Sequence, residues 1–324
     1  MSALSKPPAS GIDLPGAAMA ITIPAADGYP LAAFVWRGVD APRLAPRPVV
    51  VINAATSVKS RYYFRFAQYL YDNGMDAVVY DYRGIGHSRP GRLRGFQASW
   101  TDWGALDCEA VLEYATRMWA GREVHLVGHS FGGWAPALAP SNRYISRMVT
   151  VGAQFAYWRD YGAGARWRMA LKWHVVMPAL ARVFGYFPGR RLGWLEDAPA
   201  GVARDWSAPT PRYEDRPSAR RQFRDAGLPA AQARAHILAI SLTDDPFGTV
   251  EAIDRALGYF IRCERTHLRI APREIGREKV GHFAFFHSDF QDVLWPVALA
   301  WLRGADRGTI SRMIGVPARA WPPG

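Results

Sequence analysis

The sequence predicts an α/β fold built on a mostly parallel sheet of eight strands with helices on both faces. Three observations predict it. Over the first 150 residues, β-branched runs alternate with segments of helical spacing. The runs at 48–53, 75–80 and 124–128 are almost wholly apolar rather than alternately so, as strands covered on both faces must be. Strand-type sequence resumes at 237–242 after a long tryptophan-rich block.

Each element follows from its own signals. Residues 20–24 and 31–36, separated by the turn at Asp27-Gly28, read as an antiparallel pair. The third strand is 48–53. Residues 62–73 then carry Phe66, Tyr69 and Leu70 at helical spacing, with Gly74 where a C-cap belongs. The fourth strand, 75–80, precedes an amphipathic helix at 101–120 whose Leu106, Ala110, Leu112, Ala115 and Met118 face inward and which ends at Gly121. Strands five and six are 124–128 and 148–151.

From 154 to 234 the pattern changes. This block holds five of the thirteen tryptophans, and its short helical pieces are cut by Pro178 and by the turn at 187–193. The seventh and eighth strands, 237–242 and 266–270, and a closing helix at 290–302 complete the pattern. The expected organisation is a flexible N-terminal segment at 1–19, a core of 20–153 and 235–303, a helical lid inserted after strand six at 154–234, and a tail at 304–324.

Composition narrows the function. With 324 residues, 49% of them hydrophobic and 21% charged, the chain can bury a large core. Its two cysteines, Cys108 and Cys263, cannot form a disulfide framework, and without a CxxC or HExxH motif neither a metal nor an organic cofactor is expected. The N-terminal residues lack the apolar core of a signal peptide, and no apolar stretch approaches the ~18–20 residues of a spanning helix. A cytoplasmic chain with no stable membrane insertion is the expectation. Forty Lys and Arg against 28 Asp and Glu give a net charge of +12, yet no basic run reaches five residues and no nucleic-acid-binding signature is present. The expected partner is a small molecule and not nucleic acid; the oligomeric state is not legible. Block 154–234 carries thirteen arginines and Lys172 against seven carboxylates, so +7 of the +12 resides there. Its arginines are expected to draw anionic substrates to the pocket mouth.

The chemistry starts at Gly128-His129-Ser130-Phe131-Gly132-Gly133, which follows a buried strand and opens a helical segment. A nucleophile on so tight a strand-to-helix turn needs small residues at both flanks, because a Cβ there would meet neighbouring backbone. Ser130 Oγ then stands above the sheet, and the Phe131 N–H points at developing negative charge. A serine hydroxyl needs a base, and the base an orienting acid, in the chain order Ser, acid, His. Asp244 and Asp245 end the strand at 237–242; Asp245, directly before Pro246-Phe247, is the preferred acid, and Asp244 the alternative or a supporting acceptor. His282, after Gly281, is preferred as base over His287. The remaining histidines, His129 among them, fit packing or hydrogen-bonding roles. The second oxyanion donor is expected from the loop Asn53-Ala54-Ala55-Thr56-Ser57, at Ala55 or, next, Ala54.

With these residues assembled, the chain resembles the α/β-hydrolases over about residues 20–302. Beyond the elbow, the stretch from Tyr80 to Ser88 is similar to the loop that family carries after its fourth strand, and 185–193 and 280–286 resemble a bacterial subgroup of predicted serine hydrolases with a GHSFGG elbow. Two departures stand out: Asn53-Ala54 where the family often has His-Gly, and Pro136 a few residues into the helix after Ser130, which should shorten or kink it. The resemblance implies a serine esterase that cleaves a carboxylic ester through an acyl-enzyme. An acyltransferase, a thioesterase or a small-substrate peptidase with the same triad are the alternatives, and a non-catalytic binding protein on the same scaffold is the alternative of another class.

Overall fold

A computed structural model of the chain describes residues 16–38, 46–162, 164 and 166–321. The segment expected to be flexible at 1–19 lies, apart from 16–19, outside the described residues. Among the described residues there are eleven strands: β1 (Ala18–Pro24), β2 (Pro30–Trp36), β3 (Val49–Asn53), β4 (Asp76–Tyr80), β5 (Val124–His129), β6 (Ile145–Val151), β7 (Tyr186–Phe187), β8 (Ala198–Pro199), β9 (His236–Leu242), β10 (Glu264–Ile270) and β11 (Ala318–Ala320). Nine form one sheet in the order β1-β2-β4-β3-β5-β6-β9-β10-β11, while β7 and β8 pair as a separate ribbon. The sheet is parallel from β4 to β10 and antiparallel at its edges.

The α/β architecture is the one the sequence predicts, and the eight expected strands are joined by a ninth. β11 comes from residues expected to be a plain tail. At three residues it is too short to show periodicity, and the helix Arg307–Ile314 that precedes it, capped by the Asp306 carboxylate on the Thr309 N–H, delivers it to the edge of β10. The helix Val250–Leu257 was also legible but unread: the Thr249 hydroxyl caps it at the Ala252 N–H, and Ala252, Ile253, Ala256 and Leu257 form its buried face.

Two helices depart from regularity, with local causes. The helix expected at 101–120 is a turn at Trp100–Asp102, a π-helical stretch Trp103–Cys108 and an α-helix Glu109–Met118. Ala110, Leu112 and Ala115 beyond the π-helical stretch are buried as expected, whereas Met118, at the end of the helix and expected inside, is 41% exposed. After Ser130 the α-helix lasts only Phe131–Trp134 before Ala135–Leu138, which contains Pro136, tightens to a 3₁₀ turn, as the missing donor requires.

Residues 154–234 lie between β6 and β9 and are held by a buried polar centre. Arg216 is fully buried and donates to the carbonyls of Asp205, Phe155 and Ala156. The Asp205 carboxylate accepts from the Trp100 N–H and the Ser218 hydroxyl, tying the helix Ala200–Trp206 to the turn at Trp100. Ring stacking continues the link, from Trp173 to Trp206 (4.6 Å), to Trp100 (5.9 Å) and to Phe131 (4.6 Å), which follows Ser130 in the chain.

Three imidazoles lie in the buried interior with low affinity for protons. Burial lowers His125 to about 4, His129 to about 3 and His267 to about 4. In the unfolded chain each takes up a proton below about 6.5, in the folded chain only below these values. As pH falls through that window the unfolded state gains protons that the folded state does not, so stability declines, by about 2 kcal/mol per imidazole at pH 5. Asp107 opposes this, because burial raises its carboxyl to about 7, but it is one group against three. The melting temperature should therefore fall between pH 7 and pH 5, and the His267→Gln variant should lose less than the parent across that interval. A melting temperature independent of pH over this range would contradict the account.

Candidate active site

The elbow is built by backbone packing. β5 ends at His129, and Ser130 takes φ +54° and ψ −126°, a conformation that costs a non-glycine residue about 1–3 kcal/mol. Its N–H donates to Val151 O at 2.9 Å and its carbonyl accepts from the Gly133 N–H at 3.0 Å, so the neighbouring strand β6 and the helix that follows both hold the turn. A Cβ at Gly128 would stand 2.3 Å from the Gly133 Cα, and one at Gly132 would stand 2.4 Å from the carbonyl oxygens of Asn53 and Ala54. Asn53, the departure from the family pattern, secures the same turn from below. Its Nδ2 donates to Gly132 O at 3.0 Å, and its Oδ1 accepts from the Tyr80 hydroxyl at 3.0 Å.

Asp245 and His282 meet beside it. His282 Nδ1 donates to Asp245 Oδ2 at 2.7 Å, and Asp245 Oδ1 accepts from the Phe247 N–H at 2.8 Å. Burial alone would raise the Asp245 carboxyl, but the charge and hydrogen bond of His282, with the N–H groups of Gly248 and Phe247, outweigh it and hold it below the usual carboxylate range. The pair fits between two glycines: a Cβ at Gly248 would come within 2.5 Å of Asp245 Oδ2, and one at Gly152 within 3.1 Å of the His282 ring. Asp244 faces elsewhere. Its Oδ2 accepts from the N–H groups of Val280 and Gly281, both at 2.9 Å, and so fixes the loop that carries His282. His287 is exposed and packs against Tyr62, away from the carboxylates.

The oxyanion loop needs a correction. The Ala55 N–H, expected as the second donor, instead donates to the Tyr63 hydroxyl at 2.9 Å. Tyr63 belongs to a buried chain that reaches the base. His129 Nε2 lies 2.8 Å from His282 O, and since a carbonyl only accepts, that nitrogen carries the proton. Burial keeps the ring neutral, so Nδ1 is an acceptor and takes the Tyr63 hydroxyl hydrogen at 2.8 Å, leaving Tyr63 Oη to accept from Ala55. One hydrogen arrangement satisfies all four groups. His129 thus has the hydrogen-bonding role expected of it; Tyr63 went unread because nothing in the sequence around it marks a partner eight residues back.

Ser130, Ala55, Thr56 and His282 line a cavity of about 170 Å³. Trp173, Trp194, Trp206, Phe247 and Phe283 form its apolar wall, most of it from residues 154–234, and Gln154 and Lys172 add polar atoms. A larger cleft of about 810 Å³ opens at the N-terminal ends of β9 and β10, beside His236 and Glu264, and contains none of these residues. The small cavity lies at the carboxyl ends of the strands, where open α/β sheets place their ligands.

Known proteins share this fold. Among solved structures, the fold is similar to DcsB in complex with its substrate analogue (TM-score 0.58, 13% identity, 88% of this chain and 99% of that one). It is similar to an esterase of Pyrococcus furiosus (TM-score 0.56, 13% identity, 92% and 96%). It also resembles a puromycin hydrolase (TM-score 0.52, 19% identity), covering 94% of this chain but only 40% of that one. No curated protein sequence matches the chain. The model of the serine aminopeptidase S33 family (Hydrolase_4) matches residues 45–218, more than half of the sequence, and on that match the chain belongs to this family of the α/β-hydrolase superfamily.

Proposed function

We propose that this protein is a serine esterase in which Ser130, His282 and Asp245 act as nucleophile, base and orienting acid under a lid formed by residues 154–234. The observation that carries the reading is the 2.7 Å contact between His282 Nδ1 and Asp245 Oδ2, on the wall of the cavity into which Ser130 opens. Because Nδ1–H is committed to Asp245, Nε2 is the nitrogen left to accept the Ser130 hydroxyl proton. Ser130 Oγ bonds to the acyl carbon, the ester C–O bond breaks, and the departing alkoxide takes the proton back from Nε2. Water then repeats the sequence on the acyl-enzyme, giving the carboxylic acid and free Ser130. The Phe131 N–H serves as one oxyanion donor; with the Ala55 N–H turned to Tyr63, the neighbouring Thr56 N–H is the second.

The cavity also supports an ester over the peptide with a free N-terminus that the family description suggests. An α-ammonium group needs an anionic partner, and among the described residues lining the cavity there is no carboxylate, whereas Lys172 is present.

Ser130→Ala should lower kcat on a p-nitrophenyl ester by at least ~10³-fold while leaving the circular dichroism spectrum unchanged. Wild-type turnover in that variant would remove the nucleophile assignment. The two neighbouring carboxylates should separate clearly. Asp245→Asn should cost ~10³-fold or more in kcat through loss of the productive tautomer, and Asp244→Asn, which loosens the loop without touching the imidazole, no more than about ten-fold. The reverse ranking in steady-state kinetics would exchange their roles.

A further inference from the structure

The cavity that holds Ser130 and His282 has aromatic walls, and one lysine. Lys172 Nζ lies 4.5 Å from the ring centroid of Trp173 and 3.9 Å from that of Trp194, so two indole faces hold the ammonium at the cavity wall. No ion pair to Lys172 is found among the described residues. The carboxylates of the same block are engaged elsewhere: Glu196 with Lys59 at 2.9 Å, Asp197 with Arg89 at 3.1 Å, Asp160 with Arg255, and Asp205 with Trp100 and Ser218. Burial, then the neighbouring charge of Arg168, pulls the Lys172 ammonium below the ordinary lysine range, as befits a cation without an anion beside it.

The choice of residue is informative. The chain has only four lysines among its forty basic residues, and none of the thirteen arginines of block 154–234 lines this cavity. The positive charge that sequence reading assigned to arginines at the pocket mouth is, inside the cavity, a single compact ammonium. An ammonium partly withdrawn from water and held against ring faces gains from an anion placed beside it.

We infer that Lys172 selects esters carrying an anionic group, foremost a carboxylate, a few bonds from the scissile carbonyl, with the short apolar part of the substrate against Trp173 and Trp194. The volume of about 170 Å³ restricts that part to something close to a single ring or a short chain. The inference rests on the esterase reading for turnover, but not for binding.

Two measurements test it separately. In the first, kcat/KM is compared for three esters: p-nitrophenyl valerate, p-nitrophenyl hemiglutarate with a carboxylate on the acyl side, and 4-valeryloxybenzoate with one on the leaving side. Hydrolysis measured with Ser130→Ala is subtracted as background. At low ionic strength at least one anionic ester should exceed the neutral one by ten-fold or more, and whichever does identifies the side that faces Lys172. Lys172→Met should remove at least ten-fold of that preference, mainly through KM, and Lys172→Arg should restore part of it. A preference that survives Lys172→Met, or that is absent from the wild type, overturns the inference. In the second measurement, Ser130→Ala protein is titrated with hexanoate and with its neutral counterpart hexanamide, following tryptophan fluorescence. Hexanoate should bind at least ten-fold more tightly, a difference of about 1.4 kcal/mol, and lose that advantage in the Ser130→Ala/Lys172→Met protein. Equal binding of the two ligands also overturns it. If none of the three esters is turned over, the esterase reading fails alone, and the titration still decides the role of Lys172.

Discussion

The left-handed turn at Ser130 is the constraint around which the rest is arranged. A side chain can hold φ +54° only where the surroundings over-determine it, and here they do so with backbone. Val151 accepts from Ser130, Gly133 donates back to it, and with Gly128 pressed on the Gly133 backbone and Gly132 on the loop after β3, neither has room for a methyl group. The gain is geometric: the hydroxyl is lifted clear of β5 at the strand's carboxyl end, where the loops after β3, β6, β9 and β10 converge. Asn53 belongs to the same constraint. An amide supplies both a donor for Gly132 O and an acceptor for the Tyr80 hydroxyl, so the residue that departs from the family pattern does the work of a clamp under the elbow.

From that turn the order spreads by hydrogen bonds that permit one arrangement. His129 precedes Ser130, so fixing the elbow fixes its imidazole, which donates to the backbone of His282 and accepts from Tyr63. Tyr63 in turn holds the Ala55 amide. The Ser130 turn, the His282 loop and the loop after β3 are thereby coupled through two buried side chains. Each buried donor left unpaired would cost about 1–3 kcal/mol, so the three loops cannot drift independently. Asp244 acts from the other side, holding Val280 and Gly281 while Asp245 holds the ring itself. Two adjacent carboxylates therefore divide one task between backbone and side chain.

What the sequence revealed, and what it withheld, follows from the range of the interactions. Strands buried on both faces announce themselves in local composition, and Ser130 and Asp245, just after strand ends, and His282, in the loop beyond β10, each carry a local marker: flanking glycines, Pro246 and Gly281. Contacts that arise only on closure have no such marker. The bond between Ala55 and Tyr63 depends on how a 3₁₀ turn at Ser60–Tyr63 folds back under β3, and the periodicity that suggested a helix from residue 62 says nothing of it. The π stretch at Trp103–Cys108 is likewise invisible to a 3.6-residue period. Lys172 was unremarkable in the sequence because which way its helix faces depends on the packing of the whole block 154–234.

That packing also changes what the charge surplus of this block means. Counted along the chain it is a property of the segment, +7 in 81 residues, but energetically its members are not equivalent. Arg216 is spent on structure, its guanidinium wholly buried among carbonyls and ring faces. Arg190 and Arg212 lie at the surface beside Glu196 and Glu214, where salt at physiological strength screens a charge within about 8 Å. Lys172, only partly exposed, is held against two indole faces on the cavity wall, where a charge is screened less than at the open surface. On the proposal above, that one ammonium weighs more in the choice of substrate than the eleven exposed arginines of the block.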